Sequence, residues 1–435
     1  MKPRLAYFTV RYPTLTQTFI QREVEGLCRQ GLDVHVFPCQ QFGLPVPSKA
    51  GERPAIHPLD SKNWAHLLSE TASALWREPK LALSFLHFVK VYHINKSRSF
   101  LSEKFSENIF GCRVFSENFL ANLWGCLAAL AHLHKLRELD VHMVHGAWAT
   151  MPATAAAVCS YFLKKPFSFG AHAYDLYRHG GDGLLKEKLN AAAFVHTTTQ
   201  TNSRLLLSLI QQNKNRCDMV AVPRGLPDLP PFIERAELPQ TIRILSVGRL
   251  ISKKGHTHQI EACRVLKKRG LPFHLKIIGD GLLRQELQNK INSLGLTTQI
   301  ELAGALLPEA VWKAYHDADL FWHTGIVDAF GDRDGLPNVI PEAMAHGVPV
   351  ISSTGEGAAE AVQHNITGLI VDVTSPEALA TAVEQLAQQR DLRARLARNA
   401  RQWVEENFST EKNTAVLANA FVRAIAKHNS ATPSP

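Results

Sequence analysis

The chain has 435 residues, too many for one ordinary hydrophobic core, so two domains of roughly 200 residues are the expected organisation. Apolar residues make up 45% and charged ones 20%, which excludes a disordered or collagen-like chain. A net charge of +9 excludes neither a basic binding face nor an anionic partner, and seven scattered cysteines without a C-x-x-C pair read as free thiols of a reducing compartment.

Short β-rich runs alternate with segments of helical period, the pattern of parallel sheets covered by helices on both faces. The first array of expected strands is Leu5 to Val10, Leu32 to Phe37, Val141 to His145, Phe167 to Gly170, Phe194 to Thr198 and Met219 to Val222. Between the first two, Phe19, Ile20, Val24, Leu27 and Cys28 share one helical face. The rhythm breaks over about 61–135, a Leu-, Phe-, Trp- and His-rich stretch of helical spacing that reads as an insertion. A second array follows at Ile242 to Val247, Phe273 to Ile278, Gln299 to Leu302, Leu320 to Trp322, Val348 to Ile351 and Leu369 to Val371. The expected division is therefore a first domain over 1–225, a Pro-rich linker over 226–240, a second domain over 241–408 and a final helix over 409–430 that crosses back to the first.

Neither a signal peptide nor a spanning helix is expected, and a cytoplasmic location follows. Residues through Gln240 carry 27 basic and 19 acidic side chains, leaving 21 and 20 of the totals of 48 and 39. The first domain is thus the one suited to an anionic membrane surface or a phosphate-linked acceptor. Without a helix-turn-helix, zinc finger or RNA-binding signature, a solvated basic face is the plainer alternative and nucleic acid is not an expected partner.

Two signatures are missing: there is no G-x-x-x-x-G-K-[ST], and no G-x-G-x-x-G follows the first strand of either array, which argues against a P-loop kinase or a dinucleotide dehydrogenase. His142 and His145, three apart on a strand, point to opposite faces and are expected to pack rather than share a metal. More telling is Gly248-Arg249-Leu250 after the first strand of the second array, with Lys253-Lys254-Gly255 before the next helix. Ligands of open α/β sheets bind beyond the carboxyl ends of the strands, where two cations and a helix N-terminus would suit a diphosphate. The plainer alternative is a pair of solvated surface cations, the usual fate of a Lys-Lys step. Further on, the acidic loop Asp328 to Pro337 turns into a helix with Asn338 as its expected N-cap, Pro341 at the third position and Glu342 just inside. Asp334 and Glu342 lie about 12 Å apart along a continuous helix, so they suit opposite ends of one extended ligand better than a shared proton.

In this order, Gly248-Arg249-Leu250 with Lys254-Gly255, Ile278-Gly279-Asp280-Gly281, Ala318-Asp319-Leu320-Phe321, Asp334-Gly335-Leu336-Pro337 to Glu342-Ala343-Met344-Ala345, Gly347-Val348-Pro349-Val350 and Glu360 resemble the family-four retaining glycosyltransferases. In the first half, Arg11 to Ile20 and Gly170-Ala171-His172-Ala173-Tyr174-Asp175 are similar to bacterial exopolysaccharide members. The resemblance implies an α/β protein of the GT-B fold, with two Rossmann-like parallel-sheet domains facing a central cleft. It implies transfer of a hexosyl unit, with retention, from a UDP- or GDP-linked sugar to a lipid-linked saccharide in surface polysaccharide synthesis, at a peripheral site on the inner membrane face.

The same resemblance implies the site. Arg249 and Lys254 hold the donor diphosphate; Gly279, Gly281, Gly335, Leu336 and Pro337 shape the donor site; Glu342 binds the ribose; Asp334 contacts the transferred sugar, with His172 touching it from the first domain. Thr16, Thr18 and Asp175 are the acceptor-side candidates. No cofactor or metal is expected beside the donor, although Asp332-Arg333-Asp334 has the form of a metal-binding D-x-D. Five positions depart from the usual residues: Asp334 stands for Glu, Leu282 for Pro and His323-Thr324 for Pro-Ser of the family, and Gln17 for the Glu of exopolysaccharide members. A catalytically silent scaffold and a nucleotide-sugar epimerase are the alternatives.

Overall fold

A computed structural model describes residues 2–14, 18–40, 54–59, 68–69, 71–73, 76, 110–210, 217–226, 229–234 and 237–431. Thr16, Gln17 and most of the insertion expected over 61–135 lie outside these residues.

The chain forms two compact units, Met1–Gly225 with Thr410–Pro435, and Leu226–Ser409. In the first, β1 (Arg4–Thr9), β2 (Asp33–Pro38), β3 (Ala55–Ile56), β4 (Met143–Gly146), β5 (Phe167–Gly170), β6 (Phe194–Thr197) and β7 (Asp218–Ala221) make a parallel sheet in the order β3-β2-β1-β4-β5-β6-β7. In the second, β8 (Ile242–Val247), β9 (Phe273–Ile278), β10 (Ile300–Gly304), β11 (Leu320–His323), β12 (Val350–Ser353) and β13 (Leu369–Val371) run in the order β10-β9-β8-β11-β12-β13, again all parallel. Strand order reverses between β1 and β4 in one unit and between β8 and β11 in the other. Each reversal splays the flanking loops apart and leaves a crevice at the carboxyl ends.

Central strands are apolar on both faces because helices cover both. Tyr7 and Phe8, adjacent on β1, enter different cores, Phe8 under helix Met151–Leu163 and Tyr7 under helices Thr18–Arg29 and Thr410–Ala431. Strand β3, only two residues long, has too little periodicity to be read from sequence. His142 Nδ1 accepts the Arg4 backbone N–H (2.9 Å), and His145 Nδ1 lies 2.8 Å from Ser168 Oγ inside the core. Burial pushes the His145 imidazole down to about 3, so it stays neutral there.

The described part of the Pro-rich segment belongs to the second unit. Leu226 N–H donates to Phe408 O (2.9 Å), Arg401 Nη1 donates to Pro230 O (2.7 Å), and Phe232 packs against Gly347. Chain passage between units occurs instead at Gly225 to Leu226 and at Ser409 to Thr410. Helix Thr410–Ala431 packs on helix Thr18–Arg29 so closely that a side chain at Gly26 would strike Thr414. Among the described residues, no helix is long and apolar enough to cross a membrane.

Candidate functional site

The carboxyl ends of β8 and β11, neighbours across the strand-order reversal, carry the charged residues of the second unit. After β8 the chain runs through exposed Arg249 into a tight turn, Ser252–Lys254, and then into helix His256–Lys268. His256 Nε2–H donates to Arg249 O (3.2 Å), holding the exposed arginine's backbone against the helix start. Thr324, just past β11, donates through Oγ1 to Lys254 O (3.0 Å) and accepts from the buried Gln259 amide (2.9 Å). The two strand ends are thereby stitched together.

Glycines let a second loop lie against the first. Gly279, after β9, has φ +144°, and a methyl group there would overlap the Gly248 carbonyl oxygen. At Gly281 a Cβ would lie 2.5 Å from Leu250 O. Leu282, where the family has Pro, is almost fully exposed. Gly335, Leu336 and Pro337 close the site as backbone: Gly335 O abuts Gly357, Pro337 is buried, and Leu336 packs on the apolar layer under helix Val339–Ala345.

The acidic loop meets the turn after β8, joining residues that the sequence reading assigns to the diphosphate and to the sugar. Lys254 Nζ lies 2.7 Å from Asp334 Oδ2, and His323 Nε2 lies 3.4 Å from the same oxygen. Lys253 is 3% exposed and bridges Asp332 Oδ1 (3.0 Å), Arg333 O (3.3 Å) and Asp334 Oδ1 (3.5 Å). Neither lysine is a solvated surface cation, whereas Arg249 is exposed. Burial works to raise the Asp334 carboxyl, but Lys254, His323 and Lys253 outweigh it and hold it well below the usual carboxylate range. Burial lowers the His323 imidazole, against the pull of Asp334, so a neutral ring that donates to Asp334 and accepts from Ser352 Oγ (3.1 Å) satisfies both contacts.

Eight residues beyond Asp334, Glu342 Oε2 accepts from Tyr315 OH (3.1 Å) in the first turn of helix Val339–Ala345. Pro341 takes the third helical position. Asn338 differs from expectation: it precedes the helix but makes no side-chain cap bond. Its backbone is already helical (φ −57°, ψ −27°), and the extended backbone that swings an N-cap oxygen back over the first turn is absent.

In the first unit, His172 is buried after β5, edge-on to Trp148 (5.4 Å) and His196 (5.2 Å), and burial holds it well below its ordinary value. Asp175, expected on the acceptor side, is 1% exposed, and its carboxylate accepts the backbone N–H groups of Ala149 (3.1 Å), His172 (3.1 Å) and Ala173 (2.8 Å). Its physical role is to cap the loop that carries His172. Thr18 is half-buried at the first position of its helix.

A third constellation was not legible in sequence. Glu23 accepts from Tyr7 OH (2.5 Å) and from Arg224 Nε (3.2 Å), and the Arg224 guanidinium lies 4.4 Å from the Phe19 ring centre and 5.0 Å from that of Trp148. Tyr7, Glu23 and Arg224 come from β1, the first helix and the end of β7. Only an acidic residue in an otherwise apolar helical face hinted at it.

Two Rossmann-like sheets, each with its ligand-binding end at a strand reversal, define the GT-B class of α/β proteins. Solved structures agree: sucrose-phosphate synthase from Thermosynechococcus elongatus matches with a TM-score of 0.68 at 15% identity over 98% of this chain and 100% of that one. Anabaena HepE in complex with UDP and glucose matches with a TM-score of 0.63 at 14% identity over 96% and 99%. Residues 233–403, within the second unit, match the family model of glycosyl transferases group 1.

Among curated relatives, the amylovoran biosynthesis glycosyltransferase AmsK of Erwinia amylovora is 39% identical over 154 residues, 35% of this chain and 38% of the relative. The putative colanic acid biosynthesis glycosyltransferase WcaL of Escherichia coli is 34% identical over 204 residues, 46% and 50% respectively. The chain therefore spans half or less of the length of these relatives.

Proposed function

We propose that this protein is a glycosyltransferase that moves a hexosyl unit, with retention, from a UDP- or GDP-linked sugar to a lipid-linked saccharide in surface polysaccharide synthesis. The observation that carries the reading is the set of cations at the strand reversal of the second unit: exposed Arg249, Lys254, and the start of helix His256–Lys268. Cleaving an anomeric carbon from a diphosphate develops positive charge on the sugar and negative charge on the leaving group. Arg249 and Lys254, with backbone N–H groups, are suited to the departing diphosphate. Glu342, braced by Tyr315, is suited to the ribose hydroxyls.

In this reading Asp334 is an ionised acceptor for a sugar hydroxyl, and the diphosphate competes with it for Lys254. His172, neutral and fixed by the Asp175-capped loop, is assigned the sugar contact from the first unit. Asp332 and Asp334 are already neutralised by Lys253 and Lys254, which supports transfer without a metal held by the D-x-D. The names of the relatives support an exopolysaccharide role, and the basic first half supports a peripheral membrane location on the cytoplasmic side.

Purified protein is incubated with UDP- and GDP-sugars, with and without membrane lipid extract, and nucleoside diphosphate release and glycolipid are followed in excess chelator. A transferase gives lipid-dependent release and a labelled lipid; an epimerase converts donor alone, and a silent scaffold does neither. Arg249→Ala and Glu342→Ala are each expected to abolish transfer in folded protein. Near-normal turnover in both, or activity that chelator removes and Mg²⁺ or Mn²⁺ restores, refutes the corresponding part.

A further inference from the structure

The turn Ser252–Lys254 does more than present Lys254. Its residues tie down the acidic loop at successive points: Lys253 O accepts the Ile326 N–H (2.8 Å), and Ser252 Oγ donates to Asp328 Oδ2 (3.2 Å). Asp328 Oδ1 accepts the N–H groups of Phe330 (2.9 Å) and Asp332 (3.0 Å), which folds the loop on itself. The buried Lys253 ammonium then ends the series by donating to Asp332 and the Arg333 carbonyl and pairing with Asp334 at 3.5 Å.

We infer that Lys253 is a positioning residue that sets the orientation of Asp334 by clamping the 326–334 loop to the end of β8. The inference rests on the glycosyl-transfer reading of the site. The clamp is specific to an ammonium at this depth. Lys253 donates to Asp332 and to the Arg333 carbonyl and lies within ion-pair distance of Asp334, whereas the less deeply buried Lys254 pairs, among the described residues, with the final carboxylate. An aspartate arm, one methylene shorter than glutamate, reaches less far from its backbone, so the loop itself must be held in place for Asp334 to meet a sugar hydroxyl.

The groups facing Asp334 are Lys253 and Lys254 from the turn, His323 from β11, and Asp332 and Arg333 beside it in the loop, with Ser352 of β12 behind His323. Removing Lys253 deletes one of the cations that favour the ionised carboxylate. An acid limb set by Asp334 then moves to higher pH.

The test uses the full chain with Lys253→Met and Asp332→Asn combined, because Lys253→Met alone leaves Asp332 buried and unpaired. Amide hydrogen exchange is measured over residues 326–334 and over the rest of the second unit. Exchange in the loop is expected to accelerate by about tenfold or more while the β-sheet is unchanged; equal protection in both proteins overturns the inference. Donor consumption by the double variant, with UDP-glucose and GDP-mannose as probes, is expected to fall roughly a hundredfold in kcat; the shifted acid limb is read from Lys253→Met alone, because Asp332→Asn also removes an anion beside Asp334 and offsets the shift. An unshifted limb in Lys253→Met together with wild-type kcat in the double variant also overturns it. If wild type consumes no donor under any condition, the proposed function falls, and the exchange measurement still decides whether Lys253 holds the loop.

Discussion

Replacing Gly279 by alanine tests the close packing of the two loops on which the cationic site is built. Two costs combine. A φ of +144° lies where only glycine is comfortable, and the new methyl group overlaps the Gly248 carbonyl oxygen, which cannot retreat because Gly248 N–H is bonded to Ile278 O (2.9 Å). Backbone strain of this kind costs about 1–3 kcal/mol and forced overpacking a similar amount, so a loss of about 4 kcal/mol is expected. For a unit of this size, spanning Leu226–Ser409, that lowers the melting temperature by about 8–16 °C.

Gly270→Ala supplies the control. Gly270 also has positive φ (+73°), but nothing lies within 4 Å of its added Cβ, so only the conformational cost of about 1–2 kcal/mol remains. Thermal unfolding of the full chain, followed by calorimetry so that the second unit's transition is resolved, compares the two. The Gly279 variant should also lose nucleoside diphosphate binding, because Arg249 follows the displaced carbonyl directly. If Gly279→Ala proves as mild as Gly270→Ala, the close approach of the loops is not as described and the argument for the site's rigidity fails.

Two further outcomes are expected. Burial works to raise the Glu23 carboxyl, but His196, Arg224 and Tyr7 outweigh it and hold it below its ordinary value, so its stabilising contribution is present above the unfolded carboxylate range and is lost as pH falls through the folded value. Arg224→Leu, which leaves Glu23 buried with a cation removed, should cost about 3–5 kcal/mol at pH 7 and clearly less in acid where Glu23 is protonated; a loss independent of pH in chemical denaturation would contradict the pairing. Flotation with anionic liposomes should show binding at low salt that high salt removes, as screening of the basic first half requires, and absence of binding at low salt eliminates the membrane-surface partner.

How much of this was legible in the chain follows from the range of the interactions. Alternation of β-rich and helical segments is a local signal, and twelve strands were anticipated within a residue or two of Arg4–Thr9, Phe273–Ile278 and their counterparts. Glycines at 279 and 281 and the cations at 249 and 254 could be placed at strand ends for the same reason. The backbone-capping role of Asp175 is not legible, because a carboxylate near a histidine looks the same in sequence whether it faces solvent or, as here, accepts three backbone N–H groups.

Sequence by itself determined the two parallel α/β arrays, the helix starts and the positions of charged residues after β8 and before helix Val339–Ala345. Tertiary structure alone decided that Lys253 and Lys254 meet Asp332 and Asp334 across some eighty positions, and that Tyr7, Glu23 and Arg224 converge in the first unit. Those pairings depend on strand order, which brings β8 beside β11 rather than β10. A chain of alternating strands and helices carries no local mark of where its order reverses, and the charges there recognise one another only once the sheet is assembled.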